Sequence, residues 1–186
     1  MISIRPAVPE DAPLILDFIH RLAEYEREPD AVTATVEDLL RDGFGPNPRY
    51  RCIIAEWNSK PAGFGLFFFN YSTWLGRPGL YLEDLIVLPE MRGHGIGKAL
   101  LQKLAQIAVE ENCYGMRWQV LEWNEPALKF YDSLGAKIMD QWETMRLLEP
   151  GLSRLAGRGS PSDRSEADTI AQGSSAERTP LSGFQK

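Results

Sequence analysis

The chain has 186 residues, 44% of them hydrophobic and 25% charged, with a formal net charge of −6. That length fits one domain with some residues left over, and the acidic balance excludes the basic footprint of a nucleic-acid binder. Cys52 and Cys113 stand far apart and in no metal-ligand spacing, so neither a disulfide framework nor a metal site is expected.

In chain order, Ile2–Arg5 reads as a strand. Pro9 precedes Glu10 and Asp11, acids suited to the first turn of a helix. Leu14, Ile15, Phe18, Ile19 and Leu22 then form one apolar stripe. Thr35 is the expected N-cap of a short helix through Leu40, with Gly43 beyond its end. Tyr50–Trp57 and Ala62–Tyr71 read as a hairpin around Asn58–Pro61. Trp74–Gly79 is a turn into the strand Leu80–Leu88.

After Gly93–Gly97, the residues Ile96, Leu100, Leu104 and Ala108 recur every four positions, and Leu101 and Ile107 broaden the helical stripe. Met116–Leu121 is expected to be a strand and Glu125–Leu134 a helix stopped by Gly135. A last strand pair is expected within Ala136–Leu147. From about Gly151, serine, glycine, proline and mixed charge dominate. Such a segment buries too little apolar surface to offset its ordering entropy, so disorder is expected. The reading is a domain over 1–148 and a tail over 149–186. Met1–Ala7 contains no apolar signal region, and the run Phe64–Tyr71 is too short to span a bilayer. A cytoplasmic protein without a membrane partner is the expectation.

The junction Arg92-Gly93-His94-Gly95-Ile96-Gly97 joins a strand to a helix. Glycines let consecutive N–H groups turn toward one point, and the following helix starts with unpaired N–H groups of its own. A pyrophosphate suits such a nest, with Arg92 as countercharge. A glycine cluster before a helix is equally compatible with a plain turn. It is not a dinucleotide fingerprint, because Leu100 stands where a third glycine would be needed and no βαβ unit opens the chain.

Arg92–Gly97 resembles the acetyl-CoA loop of the GNAT acetyltransferase superfamily. Asn124-Glu125-Pro126-Ala127-Leu128-Lys129-Phe130-Tyr131 resembles its second signature, a helix that presents a tyrosine. Ile4-Arg5-Pro6-Ala7, Leu22-Ala23-Glu24-Tyr25-Glu26, Asp42-Gly43-Phe44-Gly45, Leu80-Tyr81-Leu82-Glu83-Asp84 and Glu122–Pro126 are similar to the diamine acetyltransferases within it. That family includes spermidine/spermine N1- and thialysine N-epsilon-acetyltransferases, and the similarity covers roughly Ile2 to Leu147. His94, Lys98, the short Glu56–Gly63 connection and the tail depart from the pattern.

The resemblance implies an α/β GNAT fold: a mixed, mostly antiparallel sheet with a splayed parallel strand pair, flanked by helices. It implies acetyl-CoA as co-substrate, held by Leu85, Ile86 and Val87, by Arg92, Gly93, His94, Gly95, Ile96 and Gly97, and by Asn124, Glu125, Pro126 and Ala127. It also implies Glu83 as base and Tyr131 as acid. Tyr25, Glu26, Glu83, Arg117, Trp118, Gln119 and Glu143 match positions around the amine. Carboxylates and aromatic faces suit ammonium groups, whereas Arg117 would suit a substrate carboxylate. Tyr131 could equally be a core aromatic beside Phe130, and Glu26 and Glu143 could be solvated surface charges. Relatives of this kind are commonly homodimers. The implied activity is acetylation of a primary amine of a diamine, polyamine or thialysine-like amino acid by direct transfer. Acetylation of another amine and a non-catalytic acyl-CoA sensor are the alternatives.

Overall fold

The computed structural model describes residues 1–139 and 143–158. It divides into two compact units, Met1–Lys129 and Phe130–Lys186, each treated by itself below.

The first unit is built on a five-stranded sheet in the order β1-β2-β3-β4-β5. Strands β1 (Ile2–Pro6), β2 (Arg51–Trp57), β3 (Lys60–Ser72) and β4 (Arg77–Val87) pair antiparallel in succession. The β2–β3 turn is tighter than the sequence suggests. Asn58 and Ser59 alone turn the chain, at φ 50° and 61°, the left-handed pair that matches strand twist in a two-residue hairpin.

Strand β5 (Met116–Arg117) pairs parallel with β4 only through Leu80–Met116 and Tyr81–Arg117. The expected strand Met116–Leu121 is therefore cut to two residues. Beyond Tyr81, the β5-side edge of β4 runs on to Val87 with no strand beside it among the described residues.

Helices cover both faces. α1 (Ala12–Tyr25) and α2 (Val36–Phe44) seal one, where Ile15, Phe18 and Leu39 pack with Cys52, Phe64, Leu66 and Ile86. The Phe18 and Phe64 rings stack 5.3 Å apart. α3 (Ile96–Glu110) seals the other with Ile96, Leu100 and Leu104, the stripe read from the sequence. A Cβ on Gly65 would touch Leu104, Ile53 and Leu82 there. Cover on both faces explains why Ala62–Phe67 is buried without alternation.

Two local differences have plain causes. Pro9–Asp11 forms a separate 3-10 turn before α1. α2 continues past Leu40 to Phe44, so Gly43 lies inside it. A Cβ at Gly43 would fall 2.4 Å from the Tyr50 ring, whose hydroxyl donates to the Leu39 carbonyl at 2.8 Å. Close approach, not termination, calls for that glycine.

The second unit opens with the last turn of α4 (Glu125–Ser133), which Gly135 ends at φ 86°. Tyr131 is half-buried, and its ring lies 5.5 Å from that of Phe130. Of the expected strand pair, 136–139 and 143–147 carry no strand, and 140–142 lie outside the described residues. Ile138, Met139, Met145 and Leu147 are all exposed. Gly151–Leu155, in the stretch expected to be disordered, forms the short helix α5. The expected tail beyond residue 158 lies outside the described residues.

Candidate active site

A β-bulge shapes the strand that leads into the glycine loop. Leu66 pairs with Asp84 and Phe67 with Leu82, which leaves Glu83 as the extra residue. The bulge inverts the alternation of β4. Leu82 faces α3, whereas Ile86 joins the α1–α2 layer. Asp84, opposite Leu66, is turned toward that apolar layer. Burial, with the charges of Glu83 and Glu26, pushes its carboxyl from an ordinary 3.8 up to about 6. Glu83 itself is exposed. Glu26 is exposed at the end of α1, and desolvation shifts its pKa upward as well. Three carboxyls thus gather near the bulge, and Asp84 was not among the expected site residues.

The loop after Val87 has the geometry of an anion nest. Gly93 and Gly95 both sit at φ 80°, the left-handed region that glycine enters without strain, and no atom lies within 4 Å of a Cβ added at either. Gly95 is the N-cap of α3 and offers no side chain to cap it. The first helical bond runs from Ala99 N to Gly95 O at 3.0 Å. Among the described residues, the N–H groups of Gly93, His94, Gly95, Ile96, Gly97 and Lys98 therefore meet no acceptor. No acidic residue occupies the first turn of α3. Open space, aligned donors and a helix N-terminus together fit a phosphate group.

His94 braces this loop. Its Nδ1 lies 3.0 Å from the Arg92 carbonyl and 3.2 Å from that of Met91. Both can only accept, so Nδ1 carries the proton. The imidazole also packs 4.7 Å from the Trp57 ring at the end of β2.

Arg92 reaches back. Its Nε donates to the Val87 carbonyl at 3.2 Å, and its guanidinium carbon lies 4.8 Å from the centre of the Tyr25 ring. The Tyr25 hydroxyl donates to Asn124 Oδ1 at 3.0 Å, and the Ala127 amide reaches the same oxygen at 3.3 Å. The Trp123 ring lies 5.9 Å from that of Tyr25, and the Arg27 guanidinium sits over it, 4.6 Å from its centre.

The structure thus joins Tyr25, Val87, Arg92 and Asn124, expected site residues from four parts of the chain. Glu125 and Pro126 are exposed at the start of α4, while Leu85 is half-buried and Ile86 buried in β4. Arg117 is exposed, 5.5 Å from the Tyr114 ring; Trp118 is half-buried and Gln119 exposed. Glu143 and Tyr131 lie in the second unit, Glu143 exposed. Among the described residues no group of histidine, cysteine and carboxylate side chains could hold a metal ion. None of the helices there is long and apolar enough to cross a membrane.

The fold and this nest are those of an acyl-transferring domain, and the Acetyltransferase (GNAT) family matches residues 16–136. The chain belongs to that family and is an N-acetyltransferase with the α/β GNAT fold. It is 40% identical to the thialysine N-epsilon-acetyltransferase of Bos taurus, over 84% of this chain and 98% of that one. It is 44% identical to the human spermidine/spermine N(1)-acetyltransferase-like protein 1, over 72% of this chain but 20% of that protein. Among solved structures, an integron cassette protein from the mobile metagenome of V. cholerae superposes with a TM-score of 0.70 at 29% identity. That match covers 83% of this chain and 97% of the cassette protein.

Proposed function

We propose that this acetyltransferase moves the acetyl group of acetyl-CoA directly to a primary amine of a diamine, polyamine or thialysine-like amino acid. The observation that carries the reading is the row of N–H groups from Gly93 to Lys98 that meet no acceptor among the described residues, set at the end of a strand whose outer edge beyond Tyr81 has no strand beside it there. Acetyl-CoA supplies an acyl group already activated as a thioester. The loop amides, with Arg92, hold its pyrophosphate. The free edge of Leu85–Val87 pairs with its amide-rich arm as it would with a strand, and Asn124–Ala127 flank it.

Amine chemistry sets the remaining requirements. A lysine-like ammonium ionises near 10.4, so baring its lone pair at pH 7 costs about 4–5 kcal/mol. The Glu83 carboxylate accepts that proton directly or through one water. The nitrogen then bonds to the acetyl carbon as the carbon–sulfur bond breaks, the Tyr131 phenol gives its proton to the departing sulfur, and the second proton shed by the acylated nitrogen restores the phenol through solvent. Glu26 and Glu143, with Trp118 and Gln119, suit the cationic part of the substrate, and Arg117 suits a carboxylate if the substrate is an amino acid. The names of the thialysine and spermidine/spermine relatives support that substrate class. A homodimer in the cytoplasm, with a domain over 1–148 and a dispensable tail, completes the proposal.

The test is release of free CoA, followed with a thiol-reactive dye, against a panel holding spermidine, spermine, thialysine, ornithine, lysine and an aminoglycoside. Turnover with one of the first five supports the substrate class. Turnover with the aminoglycoside alone replaces it, and acetyl-CoA binding with no turnover would make the chain a sensor.

A further inference from the structure

By resemblance, Tyr25 is expected to present an aromatic face to the amine. The geometry points elsewhere, and we infer that Tyr25 is a positioning residue of the acetyl-CoA seat, tying its three parts together. The inference rests on the proposed use of acetyl-CoA.

Both functional ends of the side chain are already engaged. The hydroxyl is 3.0 Å from Asn124 Oδ1, and that oxygen also caps the first turn of α4 through the Ala127 amide. The guanidinium of Arg92 covers the ring at 4.8 Å, a distance at which the attraction between cation and ring is substantial. Arg92 is in turn fastened to the Val87 carbonyl at 3.2 Å. Trp123 takes a further part of the ring, at 5.9 Å. A substrate ammonium would have to compete with Arg92 for that face.

The partners belong to three separate segments. Val87 ends the strand with the free edge, Arg92 opens the glycine loop, and Asn124 starts α4. Nothing in the local sequence fixes these segments relative to one another. Tyr25, the last residue of α1, touches Arg92 and Asn124 directly and Val87 through Arg92. Since α1 is packed into the core through Ile15 and Phe18, Tyr25 transmits that rigidity to the seat.

The experiment measures acetyl-CoA binding calorimetrically in the absence of amine, and separate KM values for acetyl-CoA and for the amine. Tyr25→Phe keeps the ring under Arg92 and removes one hydrogen bond. Acetyl-CoA affinity should fall about three- to tenfold, with its KM rising in step and the amine KM unchanged. Tyr25→Leu, which also removes the face under Arg92, should weaken acetyl-CoA binding further. Combining Tyr25→Phe with Asn124→Ala should cost little more than Asn124→Ala alone, since the two act through one bond. Loss of stability alone moves none of these ratios in a folded variant. An unchanged acetyl-CoA affinity in Tyr25→Phe overturns the inference, and so does a raised amine KM as the main effect. If the wild-type chain binds no acetyl-CoA, the proposed function fails and takes this inference with it. If the wild type binds and Tyr25→Phe binds equally, the inference alone fails.

Discussion

Asp11, ahead of α1, is gripped by Arg5 Nη1 and Nη2 at 2.6 and 2.9 Å and by the Val8 amide at 2.8 Å. The carboxyl of Asp84, on the strand entering the glycine loop, has no ion pair or hydrogen bond among the described residues. The Arg5 guanidinium holds the Asp11 carboxyl below the usual range, whereas burial drives that of Asp84 up to about 6. Helix starts show the same contrast. At α2, Thr35 accepts from the Asp38 amide at 3.1 Å and Asp38 answers the Thr35 amide at 3.1 Å, a closed capping box. At α3, Gly95 answers nothing. One corner satisfies its own polar groups and serves stability. The other leaves donors and a carboxyl unanswered, which costs stability and is useful only if a ligand supplies the partners.

The largest effect should come from the proposed chemistry. If the Tyr131 phenol protonates the sulfur only as the carbon–sulfur bond breaks, it acts in the transition state. Tyr131→Phe should lower turnover by about 10²-fold or more, with acetyl-CoA affinity little changed. Stopped-flow measurement with chemistry rate-limiting decides it. Near-normal turnover would falsify the acid role and return Tyr131 to a packing aromatic.

Asp84 offers the sharpest use of pH. Its raised folded value means that its contribution to stability is complete below 3.8 and disappears as the pH climbs through about 6. Asp11 behaves in the opposite sense, since its contribution is present above 3.8 and is lost as the pH falls through its lowered folded value. Asp84→Asn should match the wild type near pH 4 and exceed it at pH 7.5 by at most about 3 kcal/mol. Urea melts at the two pH values measure this. An equal difference at both would mean that Asp84 is not held partly neutral.

Gly95→Asp transfers the logic of the closed corner to the open one. It places a carboxylate where the phosphates are proposed to sit and an L side chain at φ 80°. Calorimetry should show acetyl-CoA binding weakened by at least about tenfold, roughly 1.4 kcal/mol. Unchanged affinity in a folded variant sinks the pyrophosphate assignment.

What could be read from the sequence follows from what each feature depends on. The Thr35 cap, the hairpin at Asn58 and the stripe on α3 rest on residues a few positions apart, and all three are present. The nest at Gly93 and Gly95 was legible for the same reason. Asp84 was not, because its burial depends on a bulge that appears only when β4 is registered against β3. Nor were the partners of Tyr25, 99 residues from Asn124 in sequence. The strands expected within Ala136–Leu147 are absent from 136–139 and 143–147, because a strand needs a neighbouring strand to pair with and a local stretch of sequence does not specify one.

The smallest predicted effect returns to the closed corner. Thr35→Ala removes the hydroxyl that accepts from the Asp38 amide and donates to the Asp38 carboxylate at 2.8 Å, and leaves the bond from the residue 35 amide to Asp38 in place. Thr35 is exposed, so water takes up part of what the box supplied, and a loss of about 1 kcal/mol is expected. Asp38 keeps its ion pair with Arg41 at 2.6 Å, an exposed contact that adds little. Acetyl-CoA affinity and turnover should stay at the wild-type level, because α2 contributes Leu39 to the core and no residue to the proposed seat. The comparison between corners predicts this separation: capping variants at α2 move the melting curve alone, and loop variants at α3 move binding. A Thr35→Ala protein that melts normally but binds acetyl-CoA poorly would break the division, and would place α2 within the functional half of the molecule.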